Sequence, residues 1–309
     1  MPRPPELPSP EHMATALRAR LMDGAAAPFG RVDWVAETGS TNADLLARGR
    51  ESGRQPVQAR GAAPEPGAAQ AATGHGPSPD HASTRKPWLL GAHLQQTGRG
   101  RAGRAWQNRP GQALMLSCAF DTSLAAASLP VLSPLAGLVA CEALRAIAGP
   151  GGDRLCVKWP NDVQWGNGKL AGVLVETTRN PGPPAAGHTV VIGMGMNLLD
   201  GAALSQALGR DVADWTSSGC GAALSDVVAD VALAWRAALA QVESEGFAAF
   251  VGRFRRLDAL EGRDIQVLDR GNVLHQGLGC GVDAQGRLCV RTWEGEVPVS
   301  VGEISVRPA

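Results

Sequence analysis

Between a strand-like run, Trp88-Leu89-Leu90-Gly91-Ala92-His93-Leu94, and an indole at Trp106 the chain reads Gly98-Arg99-Gly100-Arg101-Ala102-Gly103-Arg104-Ala105. Alternating glycines and arginines have little tendency to form a helix or a sheet interior. They can form a loop whose backbone reaches positive φ and comes close to a ligand. Successive N–H groups in such a loop can cradle an anion, and the guanidinium forks match phosphate or carboxylate. The segment therefore predicts a cationic loop presented by a sheet. Run by itself, such a stretch also fits a nucleic-acid tail. The formal net charge of zero and an aromatic content of 4% argue against a broad basic, stacking surface, and favour a small anionic ligand.

The other elements follow from periodicity and punctuation. A short helix is expected over Glu11 to Met22 within a tail spanning 1–29. Asp33 to Ala36 reads as a strand, and Ser40-Thr41-Asn42 reads as a helix N-cap before Ala43 to Arg48. Residues 54–86 are rich in Ala, Gly, Pro and Gln with almost no large apolar side chain, which predicts a disordered insertion. Ala113 to Phe120, Leu155 to Trp159, Val163 to Trp165, Leu170 to Glu176 and Thr189 to Ile192 read as strands, with a type I′ hairpin expected at Asn167-Gly168. Leu132 to Ala148 and Ser225 to Glu243 have helical spacing. After Gly262 the pattern changes to short alternating strands (Ile265–Leu268, Val273–Gly277, Leu288–Thr292, Glu296–Val301), as in a small β-barrel.

Several residue types here suit binding or catalysis. The chain's lysines are Lys86, Lys158 and Lys169, and two of them fall in one short stretch beside Pro160-Asn161-Asp162. Lys169 follows the expected turn, which would hold its ammonium in place. Lys158, on a strand before Trp159-Pro160, reads more readily as structural, with a catalytic role left open. Ser40, Thr41 and Gln95 offer hydroxyl and amide partners, although capping alone explains the first two. Gly193-Met194-Gly195-Met196-Asn197 after a strand lacks the third glycine and the later acidic residue of a dinucleotide fingerprint. The six cysteines show no metal-ligand spacing and read as buried reduced thiols. No apolar run approaches a membrane span, so the expectation is a soluble, cytoplasmic protein.

Taken in order, the segments STN at 40–42, QQTGRGRAGRAW at 95–106, KWPNDV at 158–163, GKLAGVLVE at 168–176 and IGMGMN at 192–197 resemble those of the biotin–protein ligases, also called biotin–[acetyl-CoA-carboxylase] ligases. The resemblance extends to the closing Gly302-Glu303-Ile304-Ser305-Val306-Arg307. It implies an α+β fold: a class II aminoacyl-tRNA-synthetase/biotin-ligase-like catalytic domain with a mixed sheet and helices over 30–258, then an SH3-like β-barrel over 259–309. It also implies a monofunctional type, because the proline-rich stretch before the core carries no two-helix DNA-binding pattern. No specific DNA partner is expected, and a homodimer is left open.

The implied reaction joins biotin to ATP as biotinyl-5′-AMP, with magnesium, and passes the biotin to a lysine of a biotin carboxyl carrier domain. A lipoate–protein ligase-like acyl-adenylating enzyme is the alternative. The resemblance assigns Arg101, Lys169 and Asp162 to catalysis, with Asp162 left open as base, orienter or metal ligand. It assigns Ser40, Thr41, Asn42, Gln95, Arg99, Gly100, Arg101, Trp106, Lys169, Gly172 and Gly193 to biotin. Arg99, Arg101, Arg104, Lys169, Asn197 and Arg307 are assigned to ATP and the adenylate, and the metal ligands stay unknown.

Overall fold

The computed structural model describes residues 7–23, 29–52, 85–106, 110–180, 187–302 and 304–308. The insertion expected at 54–86 lies outside the described residues except for Arg85 and Lys86; Lys86 pairs with Asp121 at 2.7 Å.

Strands β1 (Arg31–Thr38), β2 (Trp88–Gln95), β3 (Ala113–Thr122), β4 (Leu155–Lys158), β5 (Asp162–Trp165), β6 (Gly168–Arg179) and β7 (His188–Asn197) form one sheet in the order β1-β2-β3-β7-β6-β5-β4. The β1–β2 pair is parallel and the others are antiparallel. Period-two alternation sorts the side chains of β7 onto two faces. Val190, Ile192, Met194 and Met196 join the large core, whereas Val191 joins a smaller cluster and Gly193 and Gly195 lie on that second face.

Helices α1 (Pro10–Leu21), α3 (Leu132–Ala148) and α5 (Leu224–Glu245) cover the core face. Helix α2 (Thr41–Ser52) covers the other, burying Leu45 and Leu46 against Trp88, Leu90, Ala119 and Val191. The α2 face is left open beyond the helix N-terminus, and this is where the site forms. The expected cap at Ser40 is present: its Oγ accepts from Ala43 N at 3.4 Å.

Residues 10–21 are not a tail. Met13, Leu17 and Leu21 recur at helical spacing and are fully buried, and Arg20 reaches Asp226 at 2.7 Å and Asp230 at 2.6 Å on α5. The helical stretch Ala126–Arg154 is long and apolar enough, by length and composition alone, to cross a membrane. Its residues Leu135, Leu138, Val139 and Leu144 instead fill the core. The β5–β6 hairpin turns one residue earlier than expected. Trp165 pairs with Gly168, so Gly166 and Asn167 form the turn, and the positive φ (59°) is at Gly166. That is the pattern of a type II′ turn.

After α4 (Gly201–Leu208) and α6 (Ala248–Leu257), the C-terminal strands β8 (Asp264–Asp269), β9 (Asn272–Val282), β10 (Leu288–Thr292), β11 (Gly295–Val299) and β12 (Ile304–Pro308) pair in the order β11-β10-β9-β8-β12, all antiparallel. This unit docks beside β4: Ala259 N donates to Val157 O at 2.9 Å, and Trp159 Nε1 donates to Gly286 O at 3.0 Å.

Candidate functional site

The glycine–arginine segment folds back on itself as a small flap at the end of β2. Arg99 and Ala105 form an antiparallel bridge, Gly100 N donates to Arg104 O at 2.7 Å, and Trp106 N donates to Gly98 O at 2.8 Å. These two amides are therefore spent inside the flap, while the Arg101 and Arg104 side chains line the cavity below it.

The flap rests on glycines. A Cβ on Gly195 would lie 2.6 Å from Trp106 Cε2, and one on Gly172 would lie 3.4 Å from Trp106 Cζ3 and 3.1 Å from Lys169 Nζ. Gly172 and Gly195 are cross-strand partners, so β6 and β7 give a floor without side chains on which the indole and the lysine stem can lie. The Gly193-Met194-Gly195 run is thus continuous strand, and its glycines serve close approach.

Under the flap is a cavity of about 580 Å³. One end is uncharged and hydrogen-bonded in series. Thr41 N donates to Gln95 Oε1 at 2.9 Å, the Thr41 and Ser117 hydroxyls are 2.6 Å apart, and Ser117 Oγ donates to Asn42 Oδ1 at 2.6 Å. Asn42 Nδ2 in turn donates to Glu176 Oε2 at 2.9 Å, and Glu176 Oε1 accepts from Arg99 Nη2 at 2.8 Å. A Cβ at Gly193 would overlap Asn42 Oδ1, so this position must stay bare for the series to form.

The other end is cationic. Arg101, Arg104, Lys158, Lys169, Arg210 and Arg307 gather there around Asp162, the one carboxylate among the described lining residues, while Arg99 also lines the cavity but is held by Glu176 next to the uncharged series. Asp162 Oδ1 accepts from Lys169 Nζ at 2.6 Å. The ammonium also stands 5.7 Å from the Trp106 ring centroid, within range of a cation–π attraction. The Lys169 backbone is clamped as well: its N donates to Asp211 O at 3.1 Å and its O accepts from Ala213 N at 3.0 Å.

Arg101 spans the domain junction, donating to Asn161 Oδ1 at 3.3 Å and to Gly302 O. Burial pulls its pKa below the ordinary arginine value, opposed by Asp162. Lys158 is likewise pulled down, first by burial, with Lys169, Arg307 and Arg210 pushing the same way and Asp162 opposing.

All but one of the residues assigned from sequence line this cavity. Asn197 lies instead in a smaller adjoining hollow, where its Nδ2 donates to Lys169 O and Ala213 O at 3.2 Å each, so it braces the Lys169 backbone. Sequence reasoning passed over Ser117, Asn161, Arg210 and Glu176 and left Lys158 unassigned. Asn161 and Glu176 sit inside quoted motifs, and a polar residue within a buried segment was the available signal. Ser117 is a hydroxyl inside an apolar strand and gave the same hint. Arg210 gave none.

Comparison with known proteins agrees with this architecture. Residues 79–197 match the Biotin/lipoate A/B protein ligase family, and 262–307 match the Biotin protein ligase C terminal domain. The bifunctional ligase/repressor BirA of Escherichia coli (strain K12) is 33% identical over 224 residues, which cover 71% of this chain and 66% of that protein. The chain thus spans about two thirds of that relative's length. The biotin–[acetyl-CoA-carboxylase] ligase of Paracoccus denitrificans is 31% identical over 223 residues, covering 70% of this chain and 89% of that one. The structure of a biotin protein ligase from Aquifex aeolicus in complex with biotin and ATP superposes with a TM-score of 0.66 at 22% identity, covering 91% of this chain and 100% of that one, and shares its fold.

Fold and cavity together define a protein of the biotin/lipoate ligase class, with a catalytic sheet domain and a C-terminal antiparallel β domain. Within that class, the chain belongs to the biotin protein ligase family.

Proposed function

We propose that this chain is an ATP-dependent biotin–protein ligase acting on a lysine of a biotin carboxyl carrier domain. The observation that carries the reading is the polarity of one cavity: uncharged hydrogen-bonding groups at one end and clustered cations at the other. Biotin has the same polarity, with a neutral ureido ring and a carboxylate tail. The ring suits the Thr41–Ser117–Asn42 end, and the tail then reaches Lys169 and the arginines, where a nucleotide triphosphate would also be drawn.

In the first step a biotin carboxylate oxygen bonds to the α-phosphorus of ATP, and pyrophosphate leaves with the electron pair of the broken P–O bond. Two anions must meet, so Arg101 and Lys169 act by offsetting charge where it accumulates. In the second step the carrier amine bonds to the acyl carbon and AMP departs. The amine must lose protons, and Asp162 is the acceptor on the cavity wall. Trp106 and the flap exclude water from the reactive mixed anhydride.

Among the described residues nothing builds a magnesium centre: no three His, Cys, Asp or Glu side chains converge, and the wall's carboxylate is already paired with Lys169. A magnesium ion would enter on the nucleotide, held chiefly by phosphate oxygens and water.

The test is biotin-dependent exchange of labelled pyrophosphate into ATP, followed by biotin transfer to a carrier fragment. Arg101→Ala and Lys169→Ala should each slow exchange on the order of a hundredfold. Exchange driven by lipoate in place of biotin would favour the lipoate reading. The C-terminal domain match and the relatives named as biotin ligases support biotin.

A further inference from the structure

The geometry points to Glu176 as a positioning residue that couples the flap to the uncharged end of the cavity and sets the direction of every proton in the Thr41–Ser117–Asn42 series, so that this end takes N–H donors from its ligand. The inference rests on the biotin-ligase reading and deepens it.

Glu176 lies on β6, and its two carboxylate oxygens serve two different elements. Oε1 receives Arg99 of the flap at 2.8 Å, and Oε2 receives Asn42 of α2 at 2.9 Å. An ionised carboxylate offers acceptors only, so both donors can be satisfied at once. An amide in its place would turn an NH₂ toward one of them.

The direction of the series follows from that anchor. With the Asn42 NH₂ committed to Glu176, and also reaching Leu174 O at 3.4 Å, its Oδ1 must face Ser117. Ser117 spends its one proton on Asn42 Oδ1 at 2.6 Å. The 2.6 Å contact between the Ser117 and Thr41 hydroxyls then has Thr41 as donor, in preference to its longer 3.3 Å contact with Gln95 Oε1. Each hydroxyl proton points along the series toward Glu176, and what remains for a ligand is oxygen lone pairs. Thr41, Asn42 and Ser117 are at most 4% exposed, so a misdirected proton there would leave a buried polar atom unsatisfied. A ureido ring carries N–H donors, which is what such a row accepts.

The same carboxylate reports on the flap. Arg99 reaches Glu176 with the Gly98–Trp106 segment lying across the sheet, so the flap and the ligand-ready hydroxyls share one anchor.

The experiment compares Glu176→Ala, Glu176→Gln and Arg99→Ala, with the double variant R99A/E176A, in pyrophosphate exchange at varied biotin. Charge-assisted hydrogen bonds of this kind predict a rise in the KM for biotin of roughly tenfold or more in both Glu176 variants, with kcat much less affected. Glu176→Gln keeps the size, so a merely space-filling role predicts a wild-type KM for it. Replacing Arg99 should add little once Glu176 is gone. If Glu176→Ala does not fold, as judged by thermal melting, the near-isosteric Gln variant carries the test. A wild-type KM in Glu176→Gln, or strictly additive effects of the Arg99 and Glu176 changes, overturns the coupling. Absence of biotin-dependent exchange in the wild-type protein overturns the ligase reading and this inference with it.

Discussion

Lys169 Nζ and Asp162 Oδ1 lie 2.6 Å apart, and this pair joins the lone carboxylate among the described residues of the cavity wall to the lysine held over the glycine floor. The pairing keeps the ammonium oriented and ties Asp162 to the place where the acyl phosphate would form. It also separates the two steps chemically. Asp162 is an encumbrance while two anions are being joined, and an asset when a cationic amine must approach and lose its protons.

Asp162→Asn should therefore spare pyrophosphate exchange and slow transfer from preformed biotinyl-AMP to a carrier fragment by roughly a hundredfold, the usual scale for a general base. Single-turnover transfer and equilibrium exchange measured on the same variant give the comparison. Equal losses in both would reduce Asp162 to an orienter of Lys169.

Gly195→Ala should disable the site without unfolding the protein. The added methyl would sit 2.6 Å from the Trp106 ring, and the flap must lift to admit it. Exchange should fall and the KM for biotin rise, with a melting temperature close to wild type. Gly252→Ala is the control. Its Cβ meets nothing within 4 Å inside α6, so it should leave activity unchanged and stabilise the protein by about 0.5–1 kcal/mol through helix propensity.

Much of this was legible in the sequence where local pattern decides. Leu132 to Ala148 is a helix with the expected ends, and the motif residues at 95–106, 158–163 and 168–176 converge on one cavity. What escaped depends on tertiary pairing. Ser117 sits in an apolar strand, and only the fold brings Thr41 and Asn42 to it from remote parts of the chain. Asn167-Gly168 is a strong turn signal, yet β5 runs out at Trp165 and passes the positive φ to Gly166. Helix α6 was passed over although Phe250 and Phe254 are buried at helical spacing, because arginines break its apolar run. Its Arg253 lies over the Phe250 ring and pairs with Glu142 at 2.5 Å, so the charge is accommodated.

The N-terminal helix makes its own prediction. Leu17 is fully buried between β1 and α5, within the main core. Leu17→Ala should cost about 2–5 kcal/mol, as for other large-to-small core changes. Denaturant unfolding monitored by circular dichroism measures it. A cost under about 0.5 kcal/mol would fit a loosely attached tail instead.

The last prediction concerns Asp258, at the junction of the two domains. Its Oδ1 accepts from Leu260 N at 2.9 Å, while Oδ2 is buried with no hydrogen-bond partner among the described residues. Burial, with a smaller push from Glu261, raises its pKa from 3.8 to about 7, against the Leu260 N–H, which lowers it. A carboxyl group raised in the folded state is protonated there at a pH where the unfolded chain has already ionised it. Its contribution to stability is therefore fully present below the unfolded pKa and is lost as pH rises through the folded one. The window runs from about pH 4 to about pH 7, the unfolded and folded values. Asp258→Asn cannot ionise and escapes this loss, although its amide is also buried with one polar atom unpartnered. Wild type and variant should be compared by denaturant unfolding at about pH 5 and about pH 8, on either side of the folded value. The variant should gain on wild type between the two. A difference that stays constant, or that moves in favour of wild type at the higher pH, would show that Asp258 is ionised in the folded protein throughout.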